Sequence, residues 1–171
     1  MATNNSTNTY IVPTTANEVT MPSQPAFLAL MSGSAANVTG NGTVYTIATA
    51  TEIYDQNADY NNGTYTFTAP VTGRYKIDGN MSFINIAGAN TSYIRITSSN
   101  RSYFAGSADI GAIKNSSISY FQRISSIADM DAADTATIQV LASGQGADTV
   151  GVGWGGSSTT SYSWFSGFLA C

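Results

Sequence analysis

Between Arg74 and Phe83 the chain reads RYKIDGNMSF, an unbroken alternation with Arg74, Lys76, Asp78, Asn80 and Ser82 on even positions and Tyr75, Ile77, Gly79, Met81 and Phe83 on odd ones. Successive side chains of a strand point to opposite faces. The pattern therefore predicts a β-strand with its odd set in a core and its even set in solvent; a helix would scatter both sets around its circumference. Pro70 and Gly73 bracket a turn just before it. After Phe83 the phase slips, since Ile84 and Ile86 fall on even positions, which predicts a bulge or a segment buried on both sides. Gly79 stands on the inward set, where a missing side chain implies close approach by a neighbour.

The rest of the chain repeats this style. TVYTIATATEIY, GTYTFTAP, TSYIRI, RSYFAG, SISYFQRISSI, DTATIQVLA, DTVGVGW and SYSWFSGFLA are β-branched and aromatic runs divided by Gly, Asn and Ser. Such runs at intervals of roughly 8 to 12 residues predict an all-β sandwich or barrel. No window keeps apolar residues in helical register over three turns, and the Ala-rich SSIADMDAADTA is interrupted by Asp. Residues 1–24 are rich in Asn, Thr and Ser around an apolar island, Tyr10, Ile11 and Val12. They are read as an extended arm ahead of a single domain over 25–171, a length that one core serves.

Several chemistries are excluded by what is missing. The chain has no histidine and one cysteine, Cys171, its last residue. That removes Ser-His-Asp and Cys-His nucleophiles, a structural zinc site and any intrachain disulfide; Cys171 is expected to be a free thiol. Charged residues make up only 9% of the chain, the net charge is −4, and the six basic residues are scattered singly. No basic stripe can track a phosphate backbone, so nucleic-acid binding is not expected. No apolar run approaches the roughly 18 residues of a membrane span. The first twenty residues lack the basic and apolar regions of a secretory signal.

The last strand-like segment bears on assembly. Tyr162, Trp164 and Phe168 occupy even positions, Phe165 and Leu169 odd ones, so neither face is polar. A sandwich sheet has one dry face, and large aromatics are favoured at interfaces. Tyr162, Trp164, Phe165 and Phe168 are therefore expected at a contact with sister subunits; the alternative is that this strand lies under its own arm.

These segments resemble the C1q/TNF jelly-roll family over Pro25 to Leu169. The family's spaced aromatic motif is matched at Asp55, Tyr60, Phe67, Gly73 and Tyr75, with Ile77 for a Phe, Thr49 for the first Phe and Gly79 for the closing aromatic. PAFLALM is similar to its first strand, WFSGFLA to its last, and DAADTATIQVL stands where the family has GD-x-V-x-L. More narrowly, MPSQPAFLAL, YDQNADYNNG and FTAPVTGRY resemble C1q-like heads of tailed-phage virion proteins. The resemblance implies a jelly-roll sandwich, a compact homotrimer, neighbouring termini and a last strand near the threefold axis. With Met1 as a native start and no collagen-like stalk, a free-standing head is expected.

The carboxylates fall in two clusters, Glu52, Asp55, Asp59 and Asp129, Asp131, Asp134. Either could serve as an acid pair or a calcium loop, but Asp55 matches the family's turn position and the second cluster lacks the Gly and Glu of an EF-hand. No catalytic residue, cofactor or metal is assigned. Gly151, Gly153 and Gly156 fit GxGxxG, but the SSTTSYS that follows forms helix poorly, so a hairpin is expected. Sequons at Asn37, Asn41, Asn62, Asn90 and Asn100 are unremarkable in so Asn- and Ser-rich a chain. Tyr54, Tyr60, Tyr103 and Trp154 are weighed as sugar-stacking loop aromatics against a packing role.

The expectation is a non-enzymatic trimeric virion surface protein, a capsid decoration or cement protein or a short fibre head. Its arm, through Tyr10, Ile11 and Val12, would dock onto other virion proteins of a capsid or tail. The alternative is the receptor- or glycan-binding head of a tail fibre, with a host-surface glycan as partner.

Overall fold

The computed structural model describes residues 12–13, 19–20, 23–108, 110, 119–153, 159–160 and 162–171. The described chain is a set of antiparallel strands, with a short 3-10 turn at Ile86–Gly88. In order these are β1 (Val12–Pro13), β2 (Val19–Thr20), β3 (Ala26–Leu30), β4 (Ala35–Thr39), β5 (Val44–Thr46), β6 (Thr51–Asp55), β7 (Tyr60–Asn61) and β8 (Thr66–Thr68). Then come β9 (Gly73–Ile84), β10 (Thr91–Ser98), β11 (Ser102–Ala108), β12 (Ser119–Met130), β13 (Thr135–Ser143), β14 (Val150–Val152) and β15 (Trp164–Leu169).

Two sheets form the head. The larger contains β12, β9, β15, β3 and β6 side by side, with β14 and β4 continuing beside the far end of β9. The smaller runs β11, β10, β13, β8, β7, with β5 also paired to β13. The head begins and ends on adjacent strands, since β15 pairs with β3 and Leu169 N donates to Pro25 O at 3.0 Å. In the arm region Val12 pairs with Thr20; Tyr10 and Ile11 lie outside the described residues.

The strand over Gly73–Ile84 forms as its alternation dictates, with Tyr75, Ile77, Met81 and Phe83 fully buried. The phase slip marks burial on both sides: Ser82 is also buried, its N donating to Ser163 Oγ and its O accepting from Gly153 N. Asn85, in a left-handed conformation, then turns the chain into the 3-10 segment. Gly151, in the middle of β14, and Gly153, just after it, are buried and pack against Ile84 and Met31 respectively, so the glycine run begins as sheet; Gly156 lies outside the described residues.

Between the sheets the centre is aromatic. Phe27 of β3 stacks on Tyr60 and Phe67, centroids 4.8 and 4.9 Å away, and meets Phe165 edge-on at 4.9 Å. Rings of this size contribute about 1.5–3 kcal/mol each through burial alone. The expectation that Phe165 faces a sister subunit is thereby corrected: it is fully buried within its own chain, because Phe27 and Tyr60 already enclose it.

Candidate functional site

The outward face of the larger sheet is where the alternation places every even residue of β9. Pairing registers lay it out in rows. Ile127, Lys76, Phe168 and Ala26 form one row; Ser125, Asp78, Ser166, Leu28 and Tyr54 the next; Arg123, Asn80, Trp164, Leu30 and Thr51 the third. Beyond them lie Phe121, opposite Ser82, and Tyr162, their rings 5.8 Å apart.

This face is not the polar wet surface that the β9 sequence alone predicts. Ile127 is 57% exposed and Phe168, Tyr162 and Phe121 about 45% each, while Lys76 and Asp78 keep only 30% and 18% of their side chains open. The two charges pair at 3.3 Å, and Lys76 Nζ also donates to Ser125 Oγ. Arg123 lies over the Trp164 ring at 5.3 Å, and Asn80 Nδ2 donates to Tyr162 O at 2.6 Å. Aromatics, aliphatics and arginine around a self-neutralised pair have the composition of an interface core. β9 supplies its polar centre with Lys76, Asp78 and Asn80; Ile127 and Phe121 of β12 on one side and Trp164 and Phe168 of β15 on the other supply its apolar flanks.

No protein-family model and no curated protein matches the sequence. Solved structures do match. The globular domain of zebrafish complement 1qA protein aligns with a TM-score of 0.57 at 18% identity, covering 86% of this chain and 98% of that one. Murine APRIL at pH 5.0 gives 0.54 at 7% identity, with 85% and 98% covered. PRD1 vertex protein P5 gives 0.53 at 11% identity, with 85% and 96% covered. The fold is the C1q/TNF-like jelly roll.

Within the jelly roll the motif residues have structural tasks. Tyr60, Phe67 and Tyr75 are core rings, so Tyr60 is no loop aromatic. Thr49, standing for a Phe, is buried with its Oγ1 2.6 Å from Tyr60 Oη. Burial pushes the Tyr60 phenol up to about 12. Asp55 accepts from Asp59 N at 3.1 Å and Tyr60 N at 2.8 Å, holding the turn between β6 and β7.

The carboxylate clusters do not assemble. Among the described residues no group of three or more Asp, Glu or Cys side chains is placed to hold a metal ion. Burial, with Asp55 nearby, raises the Asp59 carboxyl above its usual range. Asp129 is engaged by Arg101 at 2.6 Å, which lowers its carboxyl, and by the Tyr103 hydroxyl at 3.2 Å. Asp134 accepts from Asp131 N at 2.8 Å, closing the turn before β13. Of the loop aromatics, Tyr54 is exposed, Tyr103 packs against the core and Trp154 lies outside the described residues. Cys171 is an exposed free thiol, and among the described residues no helix is long and apolar enough to cross a membrane.

Proposed function

We propose that the chain is a non-enzymatic, homotrimeric head on a virion surface, a capsid decoration or short fibre head, anchored by residues 1–24. The observation that carries this reading is the outward face of β12, β9, β15 and β3. Large exposed apolar side chains gathered on one face mark an interaction surface more than scattered ones do, and Ile127, Phe168, Tyr162 and Phe121 all stand exposed here. Sister copies are its occupants, with Tyr162, Trp164 and Phe168 at the contact and Phe165 beneath them in the core.

The jelly-roll likeness to the complement 1qA globular domain and to PRD1 vertex protein P5 supports a head used in assembly. The arm is the anchoring segment, with Tyr10, Ile11 and Val12 as its apolar contact to capsid or tail proteins. Three arms on one trimer raise effective concentration at the particle.

Native mass measurement tests the assembly. At micromolar concentration the protein is expected at three times its 17.9 kDa chain; a stable single-chain mass overturns the reading. Deleting residues 1–24 should leave a trimer that no longer binds particles, and undiminished binding would remove the anchoring role.

A further inference from the structure

The smaller sheet's outward face holds a cation against a pair of aromatic rings. Arg95 of β10 stands opposite Phe104 of β11 on one side and Gln139 of β13 on the other. Its guanidinium carbon lies 5.9 Å from the Tyr93 ring centroid and 5.7 Å from that of Phe104, inside cation–π range. The rings meet edge to face at 5.3 Å. Gly106 faces Tyr93 across the pair, and a Cβ there would come within 2.8 Å of Tyr93 Cβ, so the bare backbone lets the cluster sit close to the sheet.

The guanidinium is also fixed from behind. Arg95 Nε donates to Gln139 Oε1 at 2.7 Å, and that oxygen accepts Thr97 Oγ1 at 3.1 Å. Gln139 Nε2 in turn donates to Thr46 Oγ1 at 3.1 Å. Among the described residues Arg95 has no carboxylate partner, since the two ion pairs are Lys76 with Asp78 and Arg101 with Asp129. In a chain whose acids outnumber its bases ten to six, this half-buried cation has no counter-charge among the described residues. Its terminal N–H fork remains available, and a guanidinium fork matches a carboxylate bidentately.

Beside the fork, Phe104 leaves 58% of its surface open. A held cation next to a largely exposed aromatic side chain complements a pyranose ring bearing a carboxylate: the sugar's C–H face packs on the exposed part of Phe104 and its acid group takes the fork. From these contacts we infer that Tyr93, Arg95 and Phe104 form a binding site for an acidic, carboxylate-bearing sugar. Peptide addition as an extra strand is not available at Arg95, because β10 already pairs with β11 and β13. The site is complete within one chain and belongs to the opposite sheet from Trp164 and Phe168, so it does not depend on the proposed trimer.

Titration calorimetry on the full chain, with an oligogalacturonate as probe, tests the site. Binding is expected for the acid, with its methyl ester and inorganic sulfate each weaker by about tenfold or more, the scale of one lost charge-assisted contact. Arg95→Gln and Phe104→Ala should each weaken oligogalacturonate by about tenfold, while Arg101→Gln leaves it unchanged. Arg95→Lys, which keeps the charge without the fork, should also bind weakly, and an unchanged thermal midpoint in Phe104→Ala separates loss of binding from loss of fold. The inference is overturned if the acid fails to bind at millimolar concentration, if the ester or sulfate binds equally well, or if the Arg95 and Phe104 variants bind like the parent.

Discussion

Ile138 occupies the space that Gly79 leaves empty: a Cβ built on Gly79 would fall 1.7 Å from Ile138 Cδ1, across the gap between the two sheets. The glycine is thus a packing device, receiving a side chain of β13 into the inner face of β9. Gly79→Ala should cost about 1–3 kcal/mol by overpacking. Ile138→Val, which removes Cδ1, should relieve much of that cost. Chemical denaturation of both single variants and the double variant gives the coupling; strict additivity would show that the two residues do not share the space.

Tyr60 and Thr49 make a buried polar contact where the family pattern has a phenyl ring. Tyr60 Oη also donates to Thr49 O at 2.9 Å. Tyr60→Phe leaves the Thr49 groups without this partner and should destabilise by about 1–2 kcal/mol. The pH dependence has a definite sign. With the folded phenol pushed up to about 12 from 10, its contribution is whole below pH 10 and disappears as pH rises through 12. Unfolding midpoints at pH 8 and about pH 11.5 should therefore differ less in Tyr60→Phe than in the parent. An identical alkaline loss in both proteins would assign it to other tyrosines.

The alternation of β9 made the strand, its inward face and the role of Gly79 legible from sequence. The character of its outward face was not. Polar residues at Lys76, Asp78 and Asn80 read as solvent-facing in isolation, but the register sets Ile127 and Phe168 on either side of Lys76. That neighbourhood is a property of three strands distant in sequence. Phe165 and Phe168 show the same limit: periodicity separates them onto two faces without saying which face Phe27 and Tyr60 enclose. The Arg95 cluster was missed because Tyr103 and Phe104 are adjacent aromatics, and only pairing with β10 shows that Phe104 is the outward one.

Asp55 fixes the turn into β7 through two backbone amides. Asp55→Ala removes both acceptors and should cost about 1–2 kcal/mol, comparable to losing a cap. Hydrogen exchange localises the effect: the amides of Asp59 and Tyr60 should exchange faster while those of β9 keep their protection. Equal exchange at residues 59 and 60 in both proteins would mean that the turn holds without the carboxylate.

Neighbours on one strand, Phe165 and Phe168, should fail in different ways. Phe165→Ala opens a cavity against Phe27 and Tyr60 and should lose about 3–5 kcal/mol of stability. Phe168→Ser removes an exposed ring beside Lys76 and Ala26, so the isolated chain loses little. If sister copies cover this face, the same change weakens every subunit contact at once, and sedimentation should show a folded single chain where the parent is a trimer. Ile127→Asp, in the same row, should do likewise, whereas Phe104→Ala on the opposite sheet should leave the mass unchanged. A Phe168→Ser protein that keeps the parent's mass at micromolar concentration would move the contact away from β15.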